Sequence, residues 1–157
     1  MDPLRTAGTK VTFEIDPDVL QEVPQQIITN ENEFIIMNDE KTSVAELKDL
    51  VSRFVEERDW SQFHDPKNLV MALASEIGEL ADIFRWVAND KSLEAAMDPE
   101  NAQAIANELA DILMFALEFA SVCGIDLTNA IHAKLRINVA KYPIAKSKGS
   151  SRKYDRL

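Results

Sequence analysis

Two acidic pairs set inside strongly apolar, helix-periodic sequence constrain this chain more than any other feature. Between Leu69 and Trp86, the residues Leu69, Leu73, Ile77, Leu80 and Phe84 recur at spacings of three and four, the mark of a helix with one face to bury. Glu76 and Glu79 lie three apart on it, so their carboxylates share a face one turn apart. From Ala104 to Phe119 the arrangement repeats. Ile105, Leu109, Ile112, Ala116 and Phe119 form the stripe, and Glu108 and Asp111 the acidic pair. Two antiparallel helices joined by the intervening segment could bring all four carboxylates together.

Such a cluster carries a physical demand. Two unit charges about 4 Å apart repel by ~4 kcal/mol at an effective dielectric near 20. Four of them protonate, or force the helices apart, unless cations sit among them. A single acidic pair on a helix ordinarily just faces water. Two pairs, each embedded in apolar helix, point instead to an all-oxygen site for a hard cation, Mg²⁺ or Mn²⁺.

The remaining signals are mostly helical. Ser43 and Glu46 form a capping box ahead of a helix running to about Arg58, with Val44, Leu47, Val51 and Phe54 on one face. A loop holding Trp60, Phe63 and His64 follows. Asp65-Pro66 and Asp98-Pro99 each read as an N-cap followed by proline at the first helical position. Gly124 suits the position just past a helix end. Asp126 caps a last helix, Leu127 to about Lys141, striped by Leu127, Ile131, Leu135 and Val139 and stopped by Pro143. The sum is an all-α four-helix bundle, with a short helical turn over residues 93–97.

Outside the bundle, residues 1–42 read as a less regular N-terminal extension. Residues 10–15 and 33–37 are candidate short strands in it, with a flexible leader as the alternative. Residues 43–143 form the helical domain and residues 144–157 a basic tail. The chain has 27 Asp+Glu against 17 Lys+Arg, which argues against nucleic acid or an anionic membrane as partner. No apolar run reaches the ~18 residues of a membrane span, and no secretory pattern is read at the N-terminus, so the cytoplasm is the expected compartment. The single cysteine, Cys123, is expected to be a buried, inert thiol at a helix end.

Basic and aromatic groups complete the candidate site. Lys134, Asn138, Lys141 and Tyr142 follow one side of the last helix. Cations there also suit the helix dipole. Beside a carboxylate–metal cluster they are what the outer oxygens of a polyphosphate need. Trp60 and Trp86, the only tryptophans, flank the central helix and can sandwich a flat base.

The segments ERDWSQFHDPKNLVMALASEIGELADIFRW, NELADILMF and KLRINVAKYP, in this order, resemble the MazG-like all-α nucleoside triphosphate pyrophosphohydrolases, and most of all their dCTP pyrophosphatase branch. The resemblance covers about Val44 to Tyr154. It implies a homodimer or homotetramer whose Mg²⁺ is held by Glu76, Glu79, Glu108 and Asp111. The implied reaction cleaves a dNTP between its α- and β-phosphates to dNMP and pyrophosphate. Glu76 or Glu79 would be the general base, Lys134, Asn138, Lys141 and Tyr142 phosphate-side contacts, and Trp60, Trp86 and His64 or Phe63 the base end. Departures concern that base end: Val51 and Phe115 stand where animal members place a histidine and a tyrosine, which leaves the preferred base open. Ser75 replaces a further glutamate, and Lys141 a common arginine.

The alternative on the same scaffold is a catalytically silent nucleotide-binding or regulatory protein. A di-iron bundle is disfavoured because neither His64 nor His132 follows a glutamate at i−3.

Overall fold

The computed structural model describes residues 37–156, and among these the structure is helical throughout, with no strand. The candidate strands of the N-terminal extension lie outside the described residues, Met37 excepted, which has no regular structure. The helices are α1 (Val44–Glu57), α2 (Pro66–Phe84), α3 (Ser92–Met97), α4 (Pro99–Val122), α5 (Leu127–Lys141) and α6 (Ile144–Ser147), with 3-10 turns at Ser61–Phe63, Asn89–Lys91 and Tyr154–Arg156.

The helix starts form as their capping residues dictate. The Glu46 amide donates to Ser43 Oγ at 3.2 Å while the Ser43 amide donates back to Glu46 Oε2 at 2.7 Å. The same backbone donor, followed by the Ser43 hydroxyl, holds the Glu46 carboxyl below the ordinary glutamate range. Asp65 Oδ1 accepts from the Asn68 amide at 3.0 Å, and Asp126 Oδ1 from the Asn129 amide at 2.9 Å. At Asp98 the donor is the Glu100 amide, at 3.0 Å.

The helix stops are equally local. Past α4, the Ile125 amide reaches Ala120 O at 2.8 Å and the Gly124 amide Ser121 O at 3.1 Å, with Gly124 at φ 64°. α1 closes by the same doubled pattern: Trp60 N to Val55 O at 3.0 Å, and Asp59 N to Glu56 O at 2.9 Å. There the left-handed position is filled by Asp59, φ 52°, the one non-glycine at positive φ among the described residues. This turn swings the chain out of α1 and into the Trp60–His64 loop.

α4 is the central element. α2 packs along it, α1 crosses its C-terminal half, and α3 rests on its start. Asn101 Nδ2 donates to Ala95 O at 3.1 Å, and Lys48 Nζ to Ile125 O at 3.1 Å, so both ends of α4 are tied down. Among the described residues the buried apolar side chains are few: Val55, Leu69, Leu117 and Ala120. They mark the junction of late α1, early α2 and late α4.

Away from it the expected stripes are only partly covered. Ile77 and Leu109 stay about half exposed. α5 has only slight contact with the other helices, so Ile131, Leu135 and Val139 are 57%, 55% and 71% exposed. Cys123 is also exposed rather than buried, because it is the C-cap of α4, where the chain leaves the packed interface.

Candidate functional site

Helices α2 and α4 run antiparallel. His64, just ahead of α2, lies by Glu118 late in α4, while Glu76, halfway along α2, meets the Glu108 turn. This register draws the two acidic pairs together. Carboxylate oxygens of Glu76, Glu79 and Glu108 all lie within 4.8 Å of one another. Asp111 stands beside this trio rather than in it, but its charge acts on the same site.

Burial, then the charges of Glu79, Asp111 and Glu108, raise the Glu76 pKa above the ordinary glutamate range. Proton affinity of this kind is what an uncompensated carboxylate cluster shows. Oxygens bound to one Mg²⁺ sit ~2.1 Å from it, hence roughly 3–4 Å from each other, so modest side-chain rotation suffices for these residues to hold such an ion.

The other expected site residues are placed less closely. Trp60 is 42% exposed and meets Phe54 edge-on, ring centroids 5.8 Å apart. Trp86 lies just past α2 and is 91% exposed, with no aromatic ring against it among the described residues. On α5, Lys134 and Lys141 are exposed and Asn138 half-buried. No hydrogen bond or ion pair joins these three, or Tyr142, to the four carboxylates. Lys141 Nζ instead sits 4.7 Å from the centre of the Tyr154 ring, and Tyr142 meets the same ring edge-on at 5.9 Å.

One acidic residue of the interior is absent from the expected set. Glu118 is 5% exposed, among the buried side chains of α4. Its Oε2 accepts from Ser52 Oγ at 3.1 Å, and its Oε1 lies 3.9 Å from His64 Nδ1. That nitrogen is buried and makes no hydrogen bond. His64 also tilts against Phe115, centroids 6.5 Å apart. Glu118, Ser52 and His64 line a cleft of about 430 Å³ that Glu56, Ser61, Asp65, Ser121 and Val122 help to enclose, between the last turns of α1 and α4 and the start of α2.

Comparison with known proteins supports the same reading of the chain. Residues 71–157 match the model of the MazG-like family. The chain belongs to the MazG-like family. Over 115 residues it is 38% identical to dCTP pyrophosphatase 1 of Bos taurus, spanning 73% of this chain and 68% of that protein. Over 76 residues it is 40% identical to a dATP/dGTP diphosphohydrolase of cyanophage S-2L, covering 48% of this chain and 56% of that one.

Among solved structures, a pyrophosphatase from Archaeoglobus fulgidus superposes with a TM-score of 0.61 at 30% identity, over 68% of this chain and 98% of its own. Within the MazG-like family, the chain falls with the dCTP pyrophosphatase branch. None of the described helices is long and apolar enough to cross a membrane.

Proposed function

We propose that this protein is a divalent-metal-dependent dNTP pyrophosphohydrolase, which splits the α–β phosphoanhydride to give dNMP and pyrophosphate. The convergence of Glu76, Glu79 and Glu108 from two helices carries the reading. The relatives named above, which act on deoxynucleoside triphosphates by their names, support the substrate class. Mg²⁺ is the proposed ion, with Mn²⁺ as a substitute, held by the trio with Asp111 alongside. When bound, it neutralises the triphosphate and brings the pKa of a water toward neutrality.

The rest falls to the chain's own groups. A carboxylate oxygen of Glu76 or Glu79 left free of the metal takes the proton of the attacking water. Lys134, Asn138, Lys141 and Tyr142 supply positive charge and hydrogen bonds to phosphate oxygens, and Trp60 stacks on the base, joined by Trp86 across the proposed subunit contact, since Trp86 lies at the opposite end of α2 from His64.

A homodimer or homotetramer fits the exposed stripe of α5. Ile131, Leu135 and Val139 need a cover that their own chain does not give. A second copy packed there also carries α5 and its cations to a neighbour. The working compartment is proposed to be the cytoplasm.

The test is release of pyrophosphate from a panel of dNTPs with Mg²⁺ present. Turnover that chelation abolishes is the expected result. Binding without turnover would instead establish the silent, regulatory alternative.

A further inference from the structure

The cleft around Glu118 stands outside the metal-binding trio, yet it is aligned with it. Asp111 and Glu118 are seven residues apart on α4, so they project from the same face, separated by two turns or ~10.5 Å. That is comparable to the span between the α-phosphate of a nucleotide and the far edge of its base. Phe115 lies on the same helix between them, with its ring tilted against His64.

At the end of this line is a carboxyl group that is almost fully buried. One of its oxygens is engaged by Ser52 Oγ, and the other accepts no hydrogen bond among the described residues. Beside it, 3.9 Å from Oε1, is the buried Nδ1 of His64, which makes no hydrogen bond. Buried polar atoms are ordinarily satisfied, and an unbonded His64 Nδ1 facing Oε1 beyond hydrogen-bond distance at a cleft leaves room for a ligand that carries polar hydrogens.

We propose that Glu118, oriented by Ser52 and accompanied by His64, is the residue that reads the nucleobase. It accepts a hydrogen bond from an exocyclic amino group, and thereby selects amino-bearing bases over their keto counterparts. This rests on the pyrophosphohydrolase reading above. The chemistry is one of sign. An amino group, as on cytosine or adenine, or on the N2 edge of guanine, gives Oε1 the donor it lacks. The carbonyl oxygen that uracil and thymine carry at the same ring position meets it as a second acceptor and leaves both groups unpaired. Sites that hydrogen-bond their substrate discriminate far better than apolar ones, for this reason. Ser52 occupies Oε2 and so fixes the direction in which Oε1 points.

The experiment compares kcat/KM for dCTP, dUTP, dATP, dGTP and dTTP, with Mg²⁺, in the wild type, Glu118→Gln and Ser52→Ala. dCTP and dUTP form the decisive pair, because they differ at the amino or keto position. The wild type is expected to prefer dCTP. Glu118→Gln, whose amide can turn a donor toward a carbonyl, is expected to lower the dCTP/dUTP ratio by ~10- to 100-fold, mainly through KM. Ser52→Ala should lower it by less. A wild type indifferent between dCTP and dUTP, or a folded Glu118→Gln protein with an unchanged ratio, overturns the proposal. If Glu118→Gln does not fold, an unchanged ratio in Ser52→Ala overturns it as well. Silence of the wild type toward every nucleotide fails differently, since it removes the pyrophosphohydrolase activity itself.

Discussion

Glu76 and Glu108 belong to different helices, yet their carboxylate oxygens approach within 4.8 Å, with Glu79 completing the group. Such a contact is unfavourable while uncompensated and would become favourable with the proposed cation between the carboxylates. The energetics of the fold and of the chemistry are thus joined at one point.

The first prediction follows from that contact. Mg²⁺ should raise the thermal midpoint of the wild type, because an ion bound only by the folded state stabilises it by ~2.7 kcal/mol at a hundredfold excess over its Kd. Glu79→Gln keeps the shape but removes a ligand charge. Its Mg²⁺-dependent shift should shrink, and its pyrophosphate release should fall by roughly 10²- to 10⁴-fold. Differential scanning fluorimetry with and without chelator, alongside the turnover assay, checks both. A variant with an undiminished shift would remove Glu79 from the metal site.

The second concerns α5. Leu135 is 55% exposed on a helix that hardly touches its own bundle. Leu135→Glu should leave the chain helical while converting the proposed homo-oligomer to a smaller species. Light scattering coupled to size exclusion reads the mass directly. An unaltered mass would overturn α5 as the proposed subunit interface.

The third is a pH effect at the start of α1. Glu46 is held below the ordinary glutamate range by the Ser43 backbone N–H and then by the Ser43 hydroxyl. A carboxyl depressed in the folded state contributes stability above its unfolded pKa and loses it as pH falls through the folded one. Glu46→Gln retains capping hydrogen bonds without the charge. The wild type should therefore melt higher than this variant near neutral pH, and the gap should close under acid. Melting curves by circular dichroism across that range decide it, and a gap that persists at low pH would contradict the charge-based account.

Much of the fold was legible because its boundaries are set locally. Ser43, Asp65, Asp98 and Asp126 cap the helices that follow them, and Gly124 takes the left-handed turn after α4. Convergence of Glu76, Glu79 and Glu108 was an expectation that the three-residue spacing on two apolar helices allowed, with solvent-facing pairs as the alternative. What the pattern left unread is whatever depends on distant partners. The stripe of α5 was visible, but its lack of cover within the chain was not.

Glu118 beside the stripe residue Phe119 was not legible, because the Ser52 hydroxyl that meets its buried carboxyl is 66 positions away in the chain. One signal did exist: between Asp111 and Asp126, Glu118 is the only charged residue. The left-handed Asp59 gave none, since aspartate in a loop has many uses.

The way α1 and α4 end has a consequence for the polarity of binding. Both helices direct their last turns at the Glu118 cleft, and a helix C-terminus carries a partial negative charge. Glu56, Asp65 and Glu118 add carboxyl groups, and no lysine or arginine lines the cleft. The positive N-terminus of α2 nearby is already occupied by the Asp65 side chain. A triphosphate entering base-last would meet repulsion with no counter-charge. On the proposed base-reading role, entry base-first keeps the phosphates away from these carboxyl groups, so the cleft would act as a one-way socket that sets the substrate's orientation before any base is read.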